Sequence, residues 1–115
     1  MDYEKILKEA HEAARLAQIG GHDRGACGFA WVTIDGNDGL ARHCRKMAKQ
    51  AEDRGVPYAQ GRGLYGSKGY PKGWQFWKPG GFGGQAIETH EQGSVAFRDK
   101  LGEYGIRADC GSRLD

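Results

Sequence analysis

The chain has 115 residues, of which 38% are hydrophobic and 20 are glycine, and its formal net charge is +2. This length favours a single domain with one modest core, and the glycines lack the period of three that collagen requires. No apolar run approaches the length of a transmembrane helix, and the N-terminal stretch is amphipathic and contains acids, unlike a signal peptide.

The first half of the chain predicts a helix, a strand and a second helix. Residues 2–19 place Ile6 and Ala10 at helical spacing, and Gly20-Gly21 ends this helix. Residues 27–34 (CGFAWVTI) are nearly all apolar and predict a central strand. Residues 39–54 predict the second helix, with Leu40 and Cys44 on its apolar stripe and Gly55 after its end.

The second half predicts further strands around one more helix. Residues 56–65 predict a strand, residues 65–73 a hairpin loop, and residues 73–78 (GWQFWK) a strand. A short strand at residues 85–88 precedes a helix at residues 89–104, where Thr89 and Gln92 have capping-box spacing. Residues 106–110 predict the last strand.

After the first helix, this order is β-α-β-β-α-β. The sequence therefore predicts an α+β fold, a ferredoxin-like sandwich with an extra N-terminal helix, in one domain spanning residues 1–115. The right-handed crossover rule places both crossover helices on one face of a four-stranded sheet. The other face is open unless the N-terminal helix covers it.

Charge is unevenly distributed along the chain. Residues 1–41 carry four basic and seven acidic side chains, residues 42–78 nine basic and two acidic, and residues 79–115 four basic and six acidic. A basic middle between acidic ends indicates one positive face, which favours anionic partners. The alternative is a solvated surface with uneven charge.

Residues 61–84 hold nine glycines, six aromatics and four basic residues, and no acid. Within them, Lys72-Gly73-Trp74-Gln75-Phe76 resembles the start of the RNP1 element of RNA-recognition-motif domains. The resemblance implies that Trp74 and Phe76, with Phe29 or Trp31, stack nucleic-acid bases, while basic neighbours bind phosphates. The alternative is that these aromatics form the core of a small protein.

Motifs for other chemistry are weak. Residues 61–66 fit G-x-G-x-x-G, but residues 67–71 cannot open the helix that a phosphate loop needs. The His and Cys residues have no metal-ligand spacing, and we expect no metal or cofactor. Cys27, Cys44 and Cys110 are an odd number without paired spacing, which favours a reducing compartment and ordinary inward-facing thiols. A Cys110–His90 nucleophile pair is the remaining catalytic candidate.

The C-terminal third carries a second resemblance. The run GWQFWKPG, the following Gly-Gly-Gln, the helix with Ala96-Phe97-Arg98 and the ending Gly-Ser-Arg-Leu-Asp resemble small uncharacterised accessory proteins of tailed bacteriophages. The resemblance implies a protein made in the bacterial host cytoplasm that binds a host or defence protein. Arg113 and Asp115 within this ending are expected to hold the terminus in place as a structural ion pair, and the alternative is a functional role.

The leading hypothesis is therefore a non-enzymatic phage-type binding protein that engages a host or defence macromolecule. A nucleic-acid-binding module with an aromatic stacking face is the alternative, and a small enzyme is the third. No membrane partner is expected, and the sequence predicts no catalytic residue. The predicted binding residues are Arg42, Arg45, Lys46, Lys49, Arg62, Tyr65, Lys68, Tyr70, Lys72, Trp74, Phe76 and Trp77.

Overall fold

In the part of the chain that the structure describes, four strands form one antiparallel sheet. The computed structural model describes residues 1–56 and 62–115, with the side chain of Arg62 outside that description. The strands are β1 (Gly28–Ile34), β2 (Ser67–Lys68), β3 (Trp74–Trp77) and β4 (Ala108–Leu114). Their order is β2-β3-β1-β4, and every neighbouring pair is antiparallel. The fold is thus α+β, as the sequence predicts.

The described part of the chain also contains four helices. They are α1 (Tyr3–Gln18), α2 (Gly39–Asp53), the single turn α3 (Arg62–Tyr65) and α4 (Ile87–Glu103). The Asp2 carboxylate accepts from the Lys5 amide at 3.1 Å, and Asp38 accepts from the Leu40 amide at 2.8 Å. These side chains satisfy amides that the first helical turn leaves unpaired. The predicted α1 and α2 are confirmed to within two residues.

The three long helices share one face of the sheet. Helix α1 packs against α4 and α2, and its buried residues join the core that β1 and β3 face. That core includes Ile6, Leu7, Val32, Phe76 and Phe97. Helix α1 therefore completes the helical layer, and among the described residues no helix covers the opposite face of the sheet.

Side chains alternate across the sheet, as the period of a strand requires. Along β1, burial alternates strictly from Gly28 to Ile34, with every second residue fully buried under the helices. Along β3, Trp74 and Phe76 are buried, whereas Trp77 is exposed. The sheet thus has one covered face and one open face, and the aromatic residues are divided between them.

The second predicted strand is placed wrongly. The sequence predicts it at residues 56–65, but Arg62–Tyr65 is helical and β2 is only Ser67–Lys68. Residues 57–61, including the first glycine of the G-x-G-x-x-G run, lie outside the described residues. The reason for the error is local. Gly66 has φ +76° and lies close to Gln75 and Trp74. The chain therefore turns at Gly66 before it pairs with β3.

Helix α4 begins earlier than predicted, at Ile87. The capping-box prediction is wrong because Thr89 lies inside the helix and its hydroxyl donates to the His22 carbonyl at 3.0 Å. The short strand predicted at residues 85–88 is reduced to one bridge between Cys27 and Ala86.

Strand β4 is longer than predicted and lies along the whole of β1. Its register runs from Ala108 opposite Ile34 to Leu114 opposite Gly28, and the Asp115 amide donates to the Cys27 carbonyl at 3.0 Å. Strand pairing thus holds this segment, and among the ion pairs of the described residues none joins Arg113 to Asp115. Because β4 is an edge strand, Cys110 is exposed, and Cys27 is exposed too. Only Cys44 is buried as predicted.

Among the residues that the structure describes, no helix combines the length and apolar character needed to cross a bilayer.

The two faces of the sheet predict different costs for removing an aromatic ring. Phe76→Ala should lower the free energy of unfolding by about 3–5 kcal/mol, because it opens a cavity in the core. Trp77→Ala should cost only about 0.5–1.5 kcal/mol, the worth of an aromatic pair. Urea denaturation of both variants measures the difference. Equal costs would contradict the assignment of the two faces.

Candidate binding surface on the open sheet face

Three aromatic rings form a cluster on the open face. Trp31 and Trp77 are stacked, with centroids 5.5 Å apart and planes 12° apart. Phe29 lies beside Trp77, at 5.3 Å between centroids and 34° between planes. Phe29 and Trp31 are half-buried by these contacts, and Trp77 remains 38% exposed. We call Phe29, Trp31 and Trp77 the ring cluster.

The strand register brings the rings together. Trp31 on β1 lies opposite Trp77 on β3, and Phe29 precedes Trp31 by two residues on the same face. On the other side, Trp31 lies opposite Gly111 of β4. A Cβ at Gly111 would lie 2.6 Å from atoms of the Trp31 ring, so the glycine leaves the space that the indole occupies.

Polar side chains continue the open face beyond the rings. Thr33 lies opposite Gln75, and Ser67 of β2 lies opposite Gln75 on its other side. On β4, Asp109 lies opposite Thr33 and Arg113 lies opposite Phe29. The face therefore combines apolar rings with groups that donate and accept hydrogen bonds.

A groove lies at the end of the sheet where β1 leaves for α2. It has a volume of about 630 Å³, and its walls include Thr33, Gly73 and the charged residues Lys72, Arg107 and Asp109. Lys72 and Arg107 are exposed, so two cations lie at the rim of the open face.

Two predicted binding residues belong to the core. Trp74 and Phe76 are only 6% and 0% exposed. A ligand on the surface cannot reach these rings, so the binding role predicted for them is wrong. Their side chains point under the helices, and the Trp74 indole donates to the Tyr65 carbonyl at 2.7 Å. The RNP1-like run is thus shifted by one residue relative to the open face. Of its neighbouring aromatics, Trp77 is the one exposed there.

The other predicted residues of the hairpin region are scattered. Tyr70 is 96% exposed and lies in the loop between β2 and β3. Tyr65 is half-buried against the core, and its hydroxyl donates to Glu4 at 3.3 Å. Lys68 lies opposite Trp74, on the helical side of the sheet. The side chain predicted to bind at Arg62 lies outside the described residues.

The basic face of α2 lies away from the ring cluster. The exposed cations are Arg42, Arg45, Lys46 and Lys49. They project from the helical layer, whereas the rings project from the opposite face of the sheet. Arg45 also has local partners, since it donates to the Gly36 carbonyl at 3.0 Å and lies 5.3 Å from the Trp74 ring centroid. The sequence does not separate these two surfaces, and the fold does.

A polar cluster joins α1, α2 and α3. His43 Nε2 donates to Glu4 at 2.7 Å, and the Tyr65 hydroxyl donates to the other Glu4 oxygen. Burial, followed by the hydrogen bond to Glu4, raises the pKa of Tyr65 to about 12. Burial and the Glu4 charge likewise raise the pKa of the Cys44 thiol to about 12. A thiolate is the reactive form of cysteine, so this environment works against nucleophilic chemistry at Cys44.

The candidate Cys110–His90 pair also lacks activation. Partial desolvation of its thiol raises the pKa of Cys110 even though the residue is exposed, and the neighbouring Arg98 acts in the opposite direction. His90 is buried, and its Nε2 atom is 2.8 Å from the Gly84 carbonyl. In the described parts of the chain, no group of three or more His, Cys, Asp or Glu residues could hold a metal ion.

Comparison of the chain with protein-family models, with curated proteins and with solved structures finds no match. The resemblance to phage accessory proteins therefore stays a prediction, and the function must be inferred from the surface itself. The ring cluster is the feature that the sequence identified only in part. Its signal is the aromatic residue at every second position of β1, together with a glycine at the matching position of β4.

Because Gly111 contacts Trp31 and Gly102 has open space around it, alanine substitutions at these two glycines should change the stability in opposite directions. Gly111→Ala should destabilise the protein by about 1–3 kcal/mol, because the added methyl group displaces the Trp31 ring. Gly102→Ala is the matched control, since that glycine lies in α4 with open space around its Cβ position. It should stabilise the protein by about 0.4–1 kcal/mol. Thermal unfolding measures both, and a stabilising Gly111→Ala would contradict the packing of Trp31.

The raised pKa of Tyr65 predicts a loss of stability at high pH. Its folded value of about 12 exceeds the ordinary value of 10.0, so the folded state holds the phenolic proton more tightly. The resulting stability is complete below pH 10 and is lost as the pH rises towards 12. Denaturant unfolding between these pH values should show the fall, and Tyr65→Phe should make it smaller. A slope that is unchanged in Tyr65→Phe would contradict the assignment.

Proposed function

We propose that this chain is a binding protein that holds single-stranded nucleic acid on the open face of its sheet. The observation that carries the proposal is the ring cluster of Phe29, Trp31 and Trp77, which lies on the uncovered face of the two central strands. Exposed aromatic rings on such a face offer stacking surfaces for unpaired bases.

We also propose that the architecture is the ferredoxin-like one. After α1, the described elements follow the order β-α-β-β-α-β when the single turn α3 is set aside, although the second strand has only two residues. Strands β1 and β3 lie in the centre of the sheet, and β2 and β4 lie at its edges, which supports two interleaved β-α-β units. In this arrangement both central strands present side chains to the open face.

Stacking explains why the ligand is single-stranded. Bases stack on aromatic side chains only when they are not already stacked inside a duplex. Trp77 has the most accessible of the three rings, so it is the first stacking site. Thr33, Gln75 and Ser67 lie beside it on the same face and supply hydrogen-bonding groups for base edges.

A few cations are placed to contact phosphates. Arg113 lies on the open face opposite Phe29, and Lys72 and Arg107 lie at the groove at one end. Three such contacts give a moderate salt dependence, with a slope of about −0.7 per phosphate for a single strand. The basic face of α2 belongs to the helical layer, on the side of the sheet opposite the rings.

A protein partner is the second candidate, in keeping with the phage-type resemblance. Tyr70 is 96% exposed and lies in the same hairpin loop as Lys72. Tyrosine, tryptophan and arginine are the residue types that dominate binding energy in protein interfaces. A host or defence protein that contacts Tyr70 and Trp77 together would extend along β3, because the Tyr70 loop precedes Trp74 and Trp77 ends the strand.

Two aromatic variants distinguish these candidates. Trp77→Ala should weaken binding of a labelled single-stranded oligonucleotide by about 1–3 kcal/mol, the worth of one stacked base. Tyr70→Ala is the matched control, because it removes a more exposed ring that lies off the ring cluster. It should leave the affinity unchanged. Fluorescence anisotropy at low and at physiological salt measures both.

Other outcomes of this titration decide against the proposal. If the protein binds no oligonucleotide at low salt, the nucleic-acid function is wrong and the protein-partner candidate takes its place. If binding is lost in Lys46→Ala and Lys49→Ala but not in Trp77→Ala, the ligand lies on α2 instead. Preference for duplex over single strand would also overturn the stacking mode.

A further inference from the structure

The outer edge of β4 is a row of hydrogen-bonding groups that the described residues leave unpaired. Among the described strands, β4 is the last one of the sheet on that side and pairs with β1 alone. The Asp115 amide bonds the Cys27 carbonyl, which fixes the phase of the ladder. Asp109, Gly111 and Arg113 therefore direct their backbone groups to β1. Ala108, Cys110, Ser112 and Leu114 direct theirs outward.

The side chains of β4 carry complementary charges about its centre. Asp109 and Arg113 lie two residues before and two residues after Gly111, and both project onto the open face. Within the described structure, neither side chain forms a hydrogen bond or an ion pair. An edge strand with unpaired backbone groups and unpaired opposite charges can add a partner strand to the sheet.

We propose that the partner is a second copy of this chain, paired through β4 in antiparallel register around a two-fold axis at Gly111. In this register Cys110 faces Ser112 of the other copy, and their outward backbone groups form the new ladder. Asp109 then lies directly opposite Arg113 of the other copy, and the symmetry repeats the pair. These charges occupy non-hydrogen-bonded positions, where side chains on facing strands are closest.

The charges select this register from its neighbours. The nearest registers that keep the outward backbone groups paired with one another have the axis at Cys110 or at Ser112. With the axis at Cys110, Asp109 faces a glycine; with the axis at Ser112, Arg113 faces a glycine. Neither shift places the two charges directly opposite each other. The central glycine also keeps bulky side chains away from the axis.

The dimer would have one continuous sheet of eight strands. Because the axis stands perpendicular to the sheet, both ring clusters lie on the same side of it. Dimer formation does not depend on the proposed ligand, so it can be measured in the absence of nucleic acid and judged separately.

Charge reversal tests the register. Asp109→Arg places two cations opposite each other, and Arg113→Asp places two anions opposite each other. The dissociation constant of each variant dimer should be at least about tenfold higher than that of the unmodified dimer. An equimolar mixture of the two variants restores both ion pairs, so it should form a heterodimer with near-original affinity. Sedimentation velocity over a range of concentrations measures all four samples.

A backbone substitution tests the new ladder without changing a charge. Ser112→Pro removes one outward amide and should make the protein monomeric, since proline is tolerated on an edge strand only where its nitrogen faces solvent. Ser112→Ala is the control: it loses the hydroxyl that donates to Glu91 at 2.8 Å but keeps the amide, and should stay dimeric. Circular dichroism checks that both variants fold.

Three results would overturn the proposal. The unmodified protein could remain a monomer at millimolar concentration. The single charge reversals could dimerise as well as the unmodified protein, which would place any interface elsewhere. The mixture of the two reversals could fail to associate while both components remain folded, which would exclude the register centred on Gly111.

Discussion

The alternation of side chains along β1 is the constraint on which the rest of the molecule depends. Residues at even positions from Gly28 to Ile34 meet the helices, and residues at odd positions face outward. Because β3 and β4 pair with β1 on either side, this one phase assigns every neighbouring side chain to a face. A slip of one residue would exchange the buried and exposed sets throughout the sheet. The core, the ring cluster and the charges of β4 all follow from it.

Local patterns predict most of the elements and little of the surface. Helical periodicity, capping residues and terminal glycines identify α1, α2 and α4, and the apolar run identifies β1. The phase of β3 cannot be obtained in the same way, because Trp74, Phe76 and Trp77 give both faces an aromatic character. Only the pairing of Trp77 with Trp31 across the sheet decides which ring is exposed. That pairing is a long-range contact, and the sequence carries no local signal for it.

Neighbours in sequence are separated here by the thickness of the sheet. The cations of α2 and the aromatics of residues 61–84 form one basic, ring-rich block of the sequence, which is why they suggest one binding surface. In the fold, α2 belongs to the helical layer, and Arg45 lies over the inner ring of Trp74. The short β2 and the turn α3 cannot be predicted from the sequence either, because their conformation depends on the contacts of Gly66 and Tyr65 with Trp74.

The three indoles of this chain report on different parts of it. Trp74 is enclosed and hydrogen-bonded, whereas Trp31 and Trp77 are nearly parallel at 5.5 Å. Two indoles at this distance couple their strongest electronic transitions, which lie in the far ultraviolet, so the circular dichroism there carries a band from the pair. This band exists only while β1 and β3 hold their register. The stacked pair is therefore a built-in optical probe of sheet integrity, distinct from the emission of Trp74, which reports the packing of the core.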